Sequence, residues 1–225
     1  MNLALLTQEA SNVNKSVDLD SLFQMLLDGG PLMIPIGLCS VIALAFVVER
    51  STNLRSSTIG SKRFAADLTT ILDKEGPETA IQLCESSQTP LSRILVASIS
   101  RRNQPFLEME KVVEDAGSRE VERLSAGLRP LVVVAMIAPL LGLLGTVWGM
   151  IGAFTNIALQ DGLGNPEMLA GGISQALITT AAGLAVAIPT QAAYYYFRSR
   201  VDRFARLAED THQDLLAWNF AKASA

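Results

Sequence analysis

The chain has 225 residues, 49% of them hydrophobic, and a mean hydropathy of +0.32, which is more apolar than an ordinary soluble domain. Its formal net charge of −4 gives no reason to expect nucleic acid as a partner. The charges are segregated: no Asp, Glu, Lys or Arg occurs from Gly29 to Val48, from Leu131 to Gln160 or from Met168 to Phe197. A hydrocarbon core of about 30 Å is crossed by roughly 20 apolar residues, so the pattern predicts an all-α membrane protein with three transmembrane helices.

Taken in chain order, residues 1–30 form an extracytoplasmic N-terminus. In it Leu19, Leu22, Phe23, Leu26 and Leu27 recur at helical spacing behind Asp18 and Asp20 until Gly29-Gly30 stops the pattern. A short amphipathic helix lying at the outer surface is expected there, as an interfacial anchor. Met1 to Asn14 carries no Lys or Arg, so a signal peptide is not indicated and the first span, 31–48, is expected to insert uncleaved. That span is rich in Ile, Leu, Val and Phe and leaves the lipid at Glu49-Arg50.

Residues 49–129 read as a helical cytoplasmic loop: Ser61 to Lys74, a break at Gly76-Pro77, Pro77 to Ser86, Pro90 to Arg101, and a charged stretch from Phe106. The last is expected to be a solvated helix with i, i+4 ion pairs, running directly into the second span, 130–159. Residues 160–167 form a short extracytoplasmic loop. Asn165, Pro166 and Glu167 then supply a cap, a first-turn proline and a first-turn acid for the third span, 168–197. Tyr194, Tyr195 and Tyr196 followed by Arg198 and Arg200 form an interfacial belt with its anchors. The tail, 198–225, continues as a cytoplasmic helix through Val201, Phe204, Leu207, Ala208 and Thr211, with His212 as a solvated residue.

Orientation follows from the cations. The first 30 residues hold only Lys15 and the 160–167 loop none, whereas Arg50 to Arg129 holds twelve and the tail after Phe197 five. Positive charge stays in the cytoplasm, so the large loop and the C-terminus are expected inside. Cys39 and Cys84 lie at different depths and read as packing residues rather than a disulfide pair.

As helices, the second and third spans align Gly142, Thr146, Gly149 and Ala153, and Ala176, Thr180, Gly183 and Ala187, at identical spacings of four, three and four. Gly142, Gly145, Gly149 and Gly152 give a surface for close helix packing, which replaces the hydrophobic drive that is missing between helices in lipid. Thr146, Thr179 and Thr180 can each bond to their own helix, yet their Gly and Ala neighbours leave a strip of backbone suited to a narrow polar path or a closely packed helix. Gln175 adds an amide near the outer end of the third span. Pro139 and Pro189 each free a carbonyl one turn earlier, at Ala135 and Ala185. The spans contain no carboxylate, lysine or histidine, so a proton carrier must come from another chain. No HExxH, GxSxG or phosphate-binding Gly-Lys loop is present, which argues against an enzyme, and the lone histidine argues against a metal site. A non-conducting scaffold would need the glycines but not the hydroxyls. A solute transporter would need a midplane site and an internal repeat, and only the threonine row is shared.

Gly142-Leu143-Leu144-Gly145-Thr146-Val147-Trp148-Gly149, with Ala176-Leu177-Ile178-Thr179-Thr180-Ala181-Ala182-Gly183-Leu184 and Ala187-Ile188-Pro189, resembles the two signature stretches of the MotA/TolQ/ExbB ion-channel family. The Gly30-Pro31-Leu32-Met33-Ile34-Pro35 opening and the Glu49-Arg50 exit are more similar to ExbB. The resemblance implies an inner-membrane homopentamer whose second and third spans line a pore around two copies of an ExbD/TolR-like single-span partner. That partner's aspartate would carry the proton, with Thr146 and Thr180 as pore hydroxyls, and the motor would energise a TonB-like periplasmic effector; no cofactor is implied. Two positions depart from the pattern. Gln175 stands where the family usually has glutamate, and Thr179 where it usually has alanine. The doubled threonine is similar to sodium-driven flagellar stators, so Na+ at Thr146, Thr179 and Thr180 is the alternative to H+.

Overall fold

The computed structural model describes residues 29–55, 59–101, 104–159 and 166–223. The amphipathic helix expected before Gly29 and the 160–165 loop lie outside the described residues. Seven helices carry the described chain: α1 (Met33–Asn53), α2 (Lys62–Lys74), α3 (Pro77–Ser87), α4 (Pro90–Ser100), α5 (Phe106–Ala126), α6 (Arg129–Leu159) and α7 (Pro166–Ala223). No strand occurs among the described residues. Three helical stretches are long and apolar enough to cross a membrane, as expected from the charge-free segments.

The described residues divide into two compact units, one of those up to 41 and from 134 to 189, the other of those from 42 to 133 and from 190 onward. In the second unit, α2 to α4 are short because the sequence punctuates them. Ser61 caps α2 by accepting from the Phe64 N–H at 3.2 Å. Gly76, at φ +94°, turns the chain into Pro77 at the head of α3. Thr89 caps α4 by accepting from the Ser92 N–H at 3.1 Å. Each helix then turns an apolar stripe inward. Leu68, Leu72, Ala80, Cys84, Leu91, Ile94, Leu95 and Ile99 join Val113 of α5 and Phe204, Ala208 and Leu215 of α7 in one buried core. Every large side chain buried there contributes on the order of 1.5–3 kcal/mol.

The described ion pairs differ from the expected pattern. No i, i+4 salt bridge occurs on α5 among the described residues; Glu120 instead faces α4, where both its oxygens accept from Arg93 at 2.7 Å. As expected, α5 leads directly into α6, one helical stretch over 106–158 marked only by a two-residue turn at Gly127-Leu128. Pro130 has no N–H to offer the Ala126 carbonyl, so the ladder shortens to Leu128 N–H→Ser125 O at 2.9 Å and Leu131 N–H→Leu128 O at 3.1 Å before α6 resumes. Gly127 in this turn lies against the Arg50 guanidinium, where a β-carbon would collide. Leu54, Leu128, Leu131, Phe197 and Val201 form a second, smaller core.

His212 is also placed differently from its expected solvated position. It is half-buried, Nδ1 lies 3.2 Å from Ser98 Oγ, and Nε2 is buried without a hydrogen-bond partner. Burial lowers its pKa, partly opposed by the charge of Glu110. The unfolded chain therefore binds the proton more tightly than the folded chain. This contribution to stability is full above the unfolded pKa of about 6.5 and is lost as pH falls through the lower folded value. Thermal melts of wild type should show that acid-side loss setting in as pH falls below about 6.5, and His212→Gln should flatten it.

Cys84 is buried and free, and Cys39 is free and half-buried. Burial, with the neighbouring charge of Glu85, pushes the Cys84 thiol up to about 11. Little thiolate exists at neutral pH. With Cys39→Ser as background, maleimide should leave Cys84 unlabelled in the folded protein and label it on denaturation.

Candidate ion pathway

In the first unit, α6 and α7 run antiparallel with their backbones almost touching. A β-carbon on Gly183 would lie 2.6 Å from the Ala138 carbonyl oxygen, and one on Gly142 would lie 3.0 Å from the Thr180 Cα. Further along, a β-carbon on Gly149 would meet Ala176 Cβ at 3.1 Å and one on Gly172 would meet Ala153 Cβ at 2.6 Å. Such approach is what small residues allow, and in lipid it yields dispersion energy that larger side chains would prevent. Pro139 and Pro189 lie inside α6 and α7, and neither ends its helix. Neighbouring helices and local backbone adjustment let a membrane helix continue through such a proline.

The buried seam keeps the glycines and alanines of the two threonine rows but takes Gly145 in place of Thr146 and Thr179 in place of Thr180. On α6 the residues turned into it are Gly142, Gly145, Gly149 and Ala153, and on α7 Ala176, Thr179, Gly183 and Ala187. Adjacent residues stand about 100° apart on a helix, so Thr146 and Thr180 flank the seam and are half-buried. Thr180 reaches across it and donates its Oγ1 hydrogen to the Gly142 carbonyl at 3.0 Å. Thr146 turns back and donates to Leu143 O at 2.7 Å. Its open side belongs to an outward groove with Val147, Met150, Ile151, Phe154 and Thr155. Thr146 and Thr180 therefore satisfy their hydroxyl hydrogens on different carbonyls, while their oxygen lone pairs remain to accept.

Thr179 is fully buried. Its hydroxyl stands 2.7 Å from Gln175 O and 3.1 Å from Gly29 O, two acceptors for one hydrogen. Its Cβ would lie 2.6 Å from a β-carbon on Gly145, so the absent side chain of Gly145 makes the notch that Thr179 fills. The Gln175 amide lies against Gly30, whose φ of +73° favours glycine. Gln175 and Thr179 thus meet at Gly29-Gly30, shortly before α1. The partnership of Gly29 and Gly30 with these residues, and that of Gly172 with Ala153, was not read from the sequence. Its available signals were the glycine pair and the Gly172-Ala176-Thr179-Gly183 spacing.

Apolar exposure completes the picture. Ile34, Leu38, Val41, Leu44 and Val48 make an exposed stripe along α1, and Leu140, Leu143, Val147, Ile151 and Phe154 lie exposed on α6. Such faces are suited to lipid or to other membrane helices. No group of three or more His, Cys, Asp or Glu that could hold a metal ion occurs among the described residues.

The notch makes a coupled prediction. Gly145→Ala alone should destabilise the protein by about 1–3 kcal/mol, because its methyl overpacks against β-branched Thr179. Adding Thr179→Ala should recover part of that loss, giving a coupling of about 0.5 kcal/mol or more. Gly152→Ala, where a β-carbon meets nothing within 4 Å, serves as the neutral control in detergent melts.

A family profile described as the MotA/TolQ/ExbB proton channel family matches residues 86–210, which include all of α4 to α6 and much of α7. The chain is 31% identical over 207 residues to the biopolymer transport protein exbB1 of Vibrio cholerae serotype O1, covering 89% of each protein. It is 29% identical over 200 residues to the biopolymer transport protein ExbB of Neisseria meningitidis serogroup B, covering 80% of this chain and 88% of that one. With ExbB of Xanthomonas campestris pv. campestris it shares 38% over 108 residues, or 46% of this chain and 42% of that one. The matched helices, their apolar spans and the glycine and threonine stretches place this chain in the MotA/TolQ/ExbB family, with ExbB proteins among its relatives.

Proposed function

We propose that the chain is the ring-forming subunit of an ExbB/TolQ-like, proton-driven motor in the bacterial inner membrane. Five copies surround two ExbD/TolR-like single-span subunits, and ion flow drives work on a TonB-like periplasmic protein. The observation that carries this reading is the chemistry of α6 and α7. Their charge-free spans offer hydroxyls and backbone carbonyls but no carboxylate, lysine or histidine, so the chain can line a proton's route while a partner carboxylate carries the proton. A non-enzymatic role agrees with this inventory. The cation distribution supports a periplasmic N-terminus, with the helical loop and C-terminus in the cytoplasm.

Sodium coupling is the second reading, because Thr179-Thr180 doubles the hydroxyl oxygens available to a hard cation. The geometry favours the proton: Thr179 is buried and bonded within its own chain, whereas Thr146 and Thr180 are only half-buried. Liposomes containing this protein with its single-span partner should carry a proton flux that is insensitive to sodium. Thr146→Val/Thr180→Val should reduce it by about tenfold or more, with the complex still assembled. Sodium-dependent flux would establish the second reading. No flux from an intact complex would make the ring a scaffold.

A further inference from the structure

Beyond the end of the third span, α7 and the start of α2 frame a cleft of about 470 Å³. Its polar lining is strongly one-sided: Lys62, Arg200, Arg203 and Arg206 against the single carboxylate of Asp210. Its lining also includes apolar Leu207, half-buried and so open to a ligand, along with Leu54, Ile59 and Phe204, which are buried. Arg200 is held in place, donating to Leu54 O at 3.1 Å and to Tyr196 Oη at 2.6 Å. Lys62, Arg203 and Arg206 are exposed, and none of them forms a salt bridge to a described residue.

The depth of this cleft selects its ligand. Phe197 ends the charge-free segment of α7. Arg200, Arg203 and Arg206 follow it by about 4.5, 9 and 13.5 Å along the helix axis. The headgroup region adds about 5–7 Å to each side of the hydrocarbon core. Arg200 and Arg203 therefore stand at or just above headgroup phosphates, and the long stem of Arg206 can reach down toward them. A soluble anion would need only the cations. A lipid would use both the cationic rim and the apolar wall, which can take its glycerol and upper acyl carbons.

We propose that this cleft binds the phosphate headgroup of an anionic glycerophospholipid, of the phosphatidylglycerol type. Arg200 is the fixed contact, and Lys62, Arg203 and Arg206 are the adjustable ones. The proposal requires only that the helices cross a membrane; it is independent of which ion, if any, the protein conducts.

The test uses the full chain, purified and delipidated in detergent, with binding measured to phosphatidylglycerol, to phosphatidylcholine, and to inorganic phosphate or glycerol 3-phosphate. Phosphatidylglycerol should bind in preference to the other ligands. Each juxtamembrane cation contributes about one kcal/mol, so Lys62→Gln/Arg203→Gln/Arg206→Gln should weaken that binding by about a hundredfold. An equal charge change on α5, Lys111→Gln/Arg119→Gln/Arg123→Gln, should leave it within about threefold. Equal losses in the two triple variants would reduce the effect to diffuse attraction and overturn the site. Equal binding of phosphatidylcholine would remove the charge selectivity, and equal binding of a soluble phosphate would make the ligand a soluble anion. The wild-type comparison of lipids needs no variant, so it decides the proposal even if the site triple does not fold.

Discussion

The structure of the membrane unit depends on the near-contact of two backbones. Lipid tails are as apolar as leucine side chains, so α6 and α7 gain little by exchanging lipid for one another unless they pack more closely than lipid can. Gly142, Gly145, Gly149, Gly172 and Gly183 remove the side chains that would hold the axes apart. Once the carbonyls of one helix lie within reach of the other, Thr180 can bond to Gly142 O, an acceptor on the neighbouring strip of backbone. The polar chemistry of the spans is thus a consequence of the glycine seam. In a wider seam, Thr180 would have to turn back on its own helix, as Thr146 does.

The helical unit outside the apolar spans is held together differently. There the solvent is water, and Leu68, Leu72, Leu91, Ile94 and Leu95 reach near-zero exposure around Phe204. Polar contacts tie the helices at their margins: Arg93 to Glu120, and the Trp218 indole N–H to the Asp73 carboxylate. The surface ion pair contributes modestly, whereas the core side chains account for most of the cohesion. One chain thus uses van der Waals closeness where water is absent and hydrophobic burial where it is present.

The helices were legible where the sequence is punctuated. Gly76-Pro77, Thr89-Pro90 and Pro105-Phe106 mark boundaries that backbone chemistry enforces, and the charge-free segments mark the spans. The interruption before Pro130 was less visible, because Gly127 keeps a near-helical backbone there, at φ −68° and ψ −12°, and it is the missing N–H of the proline that breaks the ladder. Within the spans, periodicity could bring the small residues to one side but could not choose between Gly145 and Thr146, or between Thr179 and Thr180. Small residues fill both neighbouring strips, and the choice rests on which strip lets the carbonyls approach. The bond from Thr179 to Gly29, 150 residues away in sequence, leaves no local trace. His212 read as solvated because its helix is polar there, although its neighbour Thr211 lies in the buried stripe.

The charge-free spans have an electrical consequence. A transmembrane voltage works on charge that moves through it, by about 2.3 kcal/mol per elementary charge for each 100 mV. From Leu131 to Gln160 and from Met168 to Phe197 this chain carries no formal charge at all. Apart from the backbone dipoles, which oppose one another in the antiparallel pair α6 and α7, voltage acts on these spans through something that enters between or beside them, an ion in transit or a charged side chain of another subunit. By itself the glycine seam is electrically silent.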